Sequence, residues 1–286
     1  NNGVIMLSKT DLSERISRLS PEKRALFEKR LKGEVTEKSE VKIIPPPSSE
    51  VSIPLSFSQE RLWFLYKFEP DSAVYNRPLV LHFTGDLNIS TLEKSLNIII
   101  QRHEILRTIF PDHDGVPCQV VLPEEYISLP VFDVSKSKVR HIITEKSREI
   151  INLEEGPPLI PHLLRITEKE HILLLTMHHI VFDGWSEGVF LNEVTEIYRS
   201  LSAGKEPSLK PLSIQYADFA IWQREWLKGE TLKKQLSYWQ KKLEDIVPLE
   251  LPFDHPRQPV QSSKGRRQTF MLTESLSHSL KELSSN

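Results

Sequence analysis

The residues best suited to acid–base chemistry lie together in HHIVFDGWS, where two adjacent histidines precede an aspartate, a glycine and a serine. These are His178, His179, Asp183, Gly184 and Ser186. An imidazole can exchange a proton near neutral pH, and a nearby carboxylate can orient its ring or the loop that carries it. The spacing is therefore compatible with one catalytic histidine supported by an aspartate. The plainer alternative is a buried histidine bonded to a carbonyl, beside an aspartate that caps a helix.

The motif is predicted to join a strand to a helix. Residues 172–177, ILLLTM, form an apolar run that is typical of a strand covered on both faces. Asp183-Gly184 then predicts a turn. The residues that follow at helical spacing are Val189, Phe190, Glu193, Val194 and Ile197. Because successive side chains of a strand point to opposite sides, His178 and His179 cannot both face one cavity, which argues against a metal site built from the pair.

The wider pattern indicates an α+β fold, with helices covering a mixed sheet. Residues 77–84, RPLVLHFT, read as a strand, and residues 163–167 with 172–177 read as a hairpin. Residues 214–227 and 231–243 are predicted to be helical. We expect one mixed sheet in which 172–177 is a buried interior strand and His179 opens onto a face that solvent can reach.

Several stretches resemble the motifs of one protein family. HHIVFDGWS resembles the HHxxxDG core of condensation domains from nonribosomal peptide synthetases, a branch of the acyltransferases with a chloramphenicol-acetyltransferase-like fold. Further similarities follow in family order: SFSQERLWFL at 56–65, YNRPL from Tyr75, RHEILRTIF at 102–110, YADFAIWQ at 216–223 and LPFDHPR from Leu251. The resemblance covers the N-terminal portion of such a domain, from about Pro54 onward.

The resemblance implies a reaction and its site residues. In the family, an acceptor amine attacks a donor thioester, and both substrates are tethered to the phosphopantetheine of carrier domains. His179 matches the catalytic histidine and His178 the structural one. Asp183 matches a structural aspartate that pairs with the position of Arg102, and loss of one partner of such a buried pair is expected to cost about 3–5 kcal/mol. Gly184 and Arg107 complete the supporting motif residues, and Trp185, Ser186 and Trp222 are candidates for lining the substrate tunnel.

The same resemblance implies which proteins this chain binds, and the composition argues against nucleic acid and membranes. The expected partners are a donor and an acceptor peptidyl carrier domain, an adjacent adenylation domain and, through residues 1–35, an upstream synthetase subunit. No metal and no directly bound cofactor is expected. A net charge of -2 gives no indication of nucleic-acid binding, and no apolar run is long enough to span a membrane. A single cysteine, Cys118, suits a reducing compartment, so a cytoplasmic location is expected.

The chain divides into four predicted parts. Residues 1–35 read as a helical docking or connecting segment, in which Pro21 follows a capping Ser20 and Gly33 ends the helix. Residues 36–53 read as a Pro- and Ser-rich linker. Residues 54–246 are predicted to form the N-terminal lobe of the condensation domain. Residues 247–286 would cross over and begin a second, similar lobe, with 275–283 as its first helix.

Two other functions are compatible with the same residues. A chain of this extent could be a non-catalytic fragment or a docking module, since an acyl-transfer tunnel needs two walls. Gly184-Trp185-Ser186-Glu187-Gly188 also fits G-x-S-x-G, the nucleophile pattern of serine hydrolases. That function would need a downstream acid and histidine, such as Asp218 or Asp254 with His255 or His278.

Overall fold

The structure is a computed structural model that describes residues 53–250, 252–254, 265 and 268–285. The helical segment predicted for 1–35 and the linker predicted for 36–53, except for its last residue, lie outside the described residues.

The described elements comprise eight strands, seven α-helices and one 3-10 turn. The strands are β1 (Ile53–Pro54), β2 (Asn76–Thr84), β3 (Thr108–Ile109), β4 (Asp112–His113), β5 (Val116–Val121), β6 (Val131–Asp133), β7 (Leu159–Thr167) and β8 (Glu170–His178). The helices are α1 (Phe57–Phe68), α2 (Ile89–Arg102), α3 (Val139–Lys146), α4 (Gly184–Ser202), α5 (Tyr216–Trp226), α6 (Gly229–Lys242) and α7 (Glu274–Ser285), with a short 3-10 turn at Glu104–Arg107.

The main sheet has four strands in the order β2-β8-β7-β6. β8 is antiparallel to both of its neighbours, and β6 runs parallel to β7, so the sheet is mixed. Leu173, Leu174 and Leu175 of β8 are at most 1% exposed. The predicted hairpin and buried interior strand are therefore confirmed, because a strand covered on both faces has no position for a solvated side chain.

Helices cover both faces of this sheet. On one face, Leu173 and Met177 join the core that α2 and α4 complete through Ile99 and Ile197. On the other face lies α3, whose last residue, Lys146, accepts a hydrogen bond at its carbonyl from the Thr176 hydroxyl at 3.5 Å. The α+β class with flanking helices is confirmed, and it places the end of β8 between two helical layers.

A second, smaller sheet was not predicted. β5 pairs with β1 and β3, and β4 also pairs with β5, all antiparallel. The expectation of a single sheet was wrong because β1, β3 and β4 are only two residues long, too short for an alternating pattern. α1 follows β1 directly, and Ser56 caps it through a bond from the Gln59 N–H at 3.2 Å.

The C-terminal helices differ from the rest in burial. Neither α6 nor α7 has a buried residue, whereas the core draws on residues from Leu55 to Leu209. The helix predicted at 275–283 is present as α7. Its assignment to a second lobe stays a prediction, as do the predicted boundaries at 54–246 and 247–286.

Candidate active site

The two histidines at the end of β8 differ in burial. His178 is 3% exposed, and its Nδ1 accepts a hydrogen bond from the Ile180 N–H at 3.1 Å. Burial lowers the pKa of His178 to about 4, with a further contribution from the charge of His179. His178 is therefore neutral at physiological pH. This agrees with the structural role that the motif implies for it.

His179 is only half-buried, although His178 and Ile180 on either side are buried. Its backbone N–H donates to the carbonyl of Tyr75 at 2.8 Å, which fixes the chain at this point to the start of β2. Within the described part of the chain, no hydrogen bond engages its imidazole ring. His179 is thus partly accessible to solvent, in agreement with the prediction that it opens onto a face that solvent can reach.

Asp183 is the N-cap of α4. Its Oδ1 accepts bonds from the Trp185 N–H at 3.1 Å, the Ser186 N–H at 2.8 Å and the Ser186 hydroxyl at 2.7 Å. The hydroxyl bond is the first cause that lowers the pKa of Asp183, and the two N–H groups and His179 add to it. Asp183 therefore stays ionised and presents a negative charge close to His179.

The predicted pairing of Asp183 with Arg102 was wrong. Arg102 Nε donates instead to Glu193 Oε2 at 3.0 Å, and His103 Nε2 lies 2.7 Å from the same oxygen. The reason is local geometry, because an exposed Asp183 turned toward the first N–H groups of α4 cannot also reach the end of α2. Burial raises the pKa of Glu193, but the bonds from His103 and Arg102 outweigh it and lower the pKa overall.

The other two supporting residues, Arg107 and Gly184, differ in burial and in their contacts. Arg107 Nη1 donates to the Leu122 carbonyl, which ties the 3-10 turn to the segment after β5, while Arg107 Nε is buried with no partner in the described part of the chain. Gly184 is exposed at the first position of α4, and a Cβ there would meet nothing within 4 Å among the described residues. The structure therefore provides no steric reason for glycine at 184.

Two of the three tunnel candidates line one cavity. Trp185 and Ser186 border a space of about 150 Å³ that also has His103, Val181 and Phe182 in its wall, and Trp185 is 86% exposed. Trp222 lies elsewhere. It stacks on Trp226 in α5 at 5.3 Å and packs beside Phe219 at 5.7 Å.

Ser186 does not have the environment of a hydrolase nucleophile. Its hydroxyl donates to Asp183 Oδ1, whereas an activated serine donates to an imidazole that an acid then orients. Of the candidate triad residues, Asp218 Oδ2 accepts from the Gln215 N–H in the cap of α5, and His278 lies 3.3 Å from Glu282 on α7. His255 lies outside the described residues.

Within the described residues, metal-binding clusters, membrane-spanning helices and disulfides are absent. No group of three or more His, Cys, Asp or Glu side chains is arranged there to hold a metal ion. Among the helices that the structure describes, none is long and apolar enough to cross a membrane. Cys118 is buried and unpaired.

Comparison with known proteins decides the family. The sequence profile described as Condensation domain matches residues 49–286. The chain belongs to the condensation-domain family. A linear gramicidin synthase of Brevibacillus parabrevis is 42% identical over 262 residues, which are 89% of this chain and 3% of that protein. The phosphinothricin tripeptide synthetase PhsC of Streptomyces viridochromogenes is 36% identical over 282 residues, covering 96% of this chain and 26% of the relative. This condensation-family chain thus spans a small part of each.

Solved structures agree with this fold. The X-domain from teicoplanin biosynthesis superposes with a TM-score of 0.68 at 28% identity, over 75% of this chain and 48% of that one. The starter condensation domain of the rhizomide synthetase RzmA superposes with a TM-score of 0.62 at 21% identity, over 68% and 48% respectively, and shows the fold alone. The superposed part covers about half of each of these two solved chains.

Sequence reasoning missed two residues that organise this site. Glu193 was recognised only as part of a helical stripe. An acidic residue in an apolar stripe signals a buried cationic partner, and this could have indicated its bond to Arg102. Asn76 was noticed only within YNRPL. Its contacts are made across the fold with the end of α3, so no local signal identifies them.

Proposed function

We propose that this chain is part of a condensation domain that forms a peptide bond between two carrier-bound substrates. The observation that carries the proposal is the contrast between the paired histidines. His179 is half-buried with a free ring, while His178 is sealed and neutral. Family membership and the presence of all the motif residues support the same function.

The chemistry requires one proton to move. The amine nitrogen of the acceptor attacks the thioester carbonyl of the donor, the C–N bond forms and the C–S bond breaks, and the thiolate leaves. The attacking nitrogen becomes cationic and must lose a proton. A free α-amine has a pKa near 8, so about a tenth of it is neutral at pH 7, and the imidazole of His179 can accept the proton during attack.

Asp183 assists through its charge and position. Its carboxylate lies close enough to His179 for the two charges to interact, and this interaction adds to the lowering of the Asp183 pKa. Because Asp183 is held by Ser186 and the N-terminus of α4, that negative charge is fixed in place. His179 is therefore assigned to positioning the amine and accepting its proton, and Asp183 to holding the loop that follows His179.

The proposed partners follow from this reaction. Donor and acceptor carrier domains would present their substrates on phosphopantetheine, an adenylation domain would load the acceptor, and residues 1–35 would contact an upstream synthetase protein. The location proposed for such a synthetase is the cytoplasm. The relatives' names, which include a tripeptide synthetase, support a multidomain context.

The experiment uses the synthetase that contains this chain, with its carrier domains loaded. Intact-mass measurement of the acceptor carrier should show a mass increase equal to the donor acyl group, together with an unloaded donor carrier. Loaded carriers that stay unchanged while the synthetase is folded would contradict the proposal and favour a docking role. Fluorophosphonate treatment provides the control for a hydrolase, since labelling of Ser186 is not expected.

A further inference from the structure

Asn76 forms a bridge between two separate parts of the fold. Its side-chain amide donates to the carbonyl of Ser147 at 3.0 Å and to that of Glu149 at 2.8 Å. Both acceptors lie just after α3, and Asn76 is the first residue of β2. One amide group thus satisfies two carbonyls that lie beyond the last residue of α3, which fixes the start of β2 against the end of α3.

The segment that Asn76 binds is itself anchored. The Glu149 carboxylate pairs with Lys146 Nζ at 2.6 Å and lies 3.5 Å from Nε2 of the buried His162. The Ser147 N–H donates to the Ile143 carbonyl at 2.9 Å, at the end of the helix. Because these bonds hold residues 147–149 to the helix and to β7, the carbonyls that face Asn76 form a rigid support.

Asn76 is adjacent in sequence to the residue that contacts the proposed catalytic histidine, His179. Asn76 lies opposite His178 in the sheet, and the residue before it, Tyr75, accepts the backbone hydrogen bond of His179 at 2.8 Å. The Tyr75 ring also lies 6.3 Å from that of His178. The position of the Tyr75 carbonyl is set by its neighbour, so a shift of Asn76 moves the carbonyl that the His179 N–H contacts.

We infer that Asn76 is a positioning residue for the condensation reaction, which holds His179 in place through the Tyr75 carbonyl. The inference rests on the proposed role of His179. Catalytic groups must be held within fractions of an ångström, and a residue far from the reacting atoms can lower the rate when its loss lets them move. His179 has no bond on its ring among the described residues, so its placement depends on the backbone that carries it.

The chain offers a matched control. Asn97 is buried, whereas Asn76 is half-buried, and the Asn97 amide likewise donates to two carbonyls, those of Glu93 and Ile127, each at 2.9 Å. It lies in α2, outside the network that leads to His179. Asn76→Asp keeps the shape of the side chain but removes both donors, and Asn97→Asp does the same in the control. Asn76→Ala and Asn97→Ala serve if the aspartate variants fail to fold.

The first measurement is hydrogen exchange of the His179 amide in the intact synthetase. Asn76→Asp should increase its exchange rate by at least about 10-fold, because the bond to Tyr75 opens more often, while the amides of β8 keep their protection. Asn97→Asp should leave His179 unchanged. A His179 amide as protected in Asn76→Asp as in the wild type would overturn the inference.

The second measurement is the rate of condensation between loaded carriers. Asn76→Asp should lower kcat about 10-fold with the acceptor KM changed less than about twofold, since binding surfaces are retained and only the catalytic group is displaced. Fast exchange at His179 with an unchanged kcat would also overturn the inference. Wild-type activity in His179→Ala would instead refute the proposed function, whatever the exchange rates of the Asn76 variants.

Discussion

Asp183 accepts a hydrogen bond from the hydroxyl of Ser186 at 2.7 Å, and the same oxygen also accepts the backbone N–H of Ser186 at 2.8 Å. This carboxylate therefore closes the first turn of α4 and holds the loop that begins at His179. Its role is that of a helix cap with a charge near the His179 ring, and the bond that the motif implied to Arg102 is absent from the described contacts.

Replacement of Asp183 tests this role. Asp183→Ala should lower the free energy of unfolding by about 1 kcal/mol, the usual value of an N-cap. Asp183→Asn should lower it less, because the amide oxygen can still accept the Trp185 and Ser186 N–H groups. Urea denaturation of the three proteins gives both values. A loss of about 3–5 kcal/mol in Asp183→Asn would show that Asp183 is part of a buried ion pair after all.

Glu193 should matter more than other acidic residues of α4. Its carboxylate is shared by Arg102 and His103, so a neutral residue there removes the negative charge that both groups contact, and bonds to charged groups contribute about 1.5–3 kcal/mol. We expect Glu193→Gln to reduce the free energy of unfolding by about 2 kcal/mol. Glu196→Gln is the control, because Glu196 pairs with Arg199 at the exposed surface and should contribute below about 1 kcal/mol. Equal effects of the two substitutions would contradict this assignment.

The pH dependence of the Glu193 contribution has a defined sign. Its folded pKa is lowered, so the unfolded chain binds the proton more readily, and the stabilisation is present above the unfolded pKa. It is lost as the pH falls from the unfolded pKa through the folded one. Glu193→Gln should therefore destabilise the protein at pH 7 and much less in acid, which denaturation at both pH values measures.

His178 should make the protein acid-sensitive at higher pH values than Glu193 does. Its folded pKa of about 4 lies below the ordinary 6.5, so protonation favours the unfolded chain and stability falls as the pH drops from 6.5 to 4. The full effect is on the order of 3 kcal/mol. The buried His162 and His171, whose pKa values burial also lowers, add to it.

Substitution isolates the contribution of His178. In His178→Gln, the slope of unfolding free energy against pH between pH 4.5 and 6 should fall by about 1.4 kcal/mol per pH unit, the value for one proton. The variant loses stability at pH 7.5 as well, since the Nδ1 that accepts the Ile180 N–H is gone. An unchanged slope would mean that His178 is not the buried neutral group that the structure shows.

The parts of the fold that the sequence predicts are those encoded by local pattern. The apolar run at 172–177 and the turn at 168–170 determine the β7–β8 hairpin, and the spacing of Phe190, Val194 and Ile197 determines α4. The second sheet escapes prediction because β1, β3 and β4 are too short to show a period, and because β1 pairs across a long stretch of chain, as Pro54 does with Cys118. No periodicity encodes such a pairing.

The features of the site also divide into those that the sequence predicts and those that only the folded chain shows. Alternation along a buried strand predicts different environments for His178 and His179, and the two do differ in burial, although His179 lies in the turn just after β8. The partner of Arg102 depends on how α2 packs on α4, and Glu193 rather than Asp183 lies within reach. The contact of Asn76 with the end of α3 also arises only when the chain is folded.

The most direct test of the central claim is the condensation rate of His179→Ala in the intact synthetase, measured over a pH series. If the imidazole accepts the proton of the amine, the rate should fall by roughly 10²–10⁴-fold near pH 7, and the defect should shrink toward pH 8, where the amine is itself increasingly neutral. His82→Ala, at a half-exposed histidine in β2 of the same sheet, should retain the wild-type rate. A folded His179→Ala protein that forms the dipeptidyl thioester at the wild-type rate would contradict the assignment.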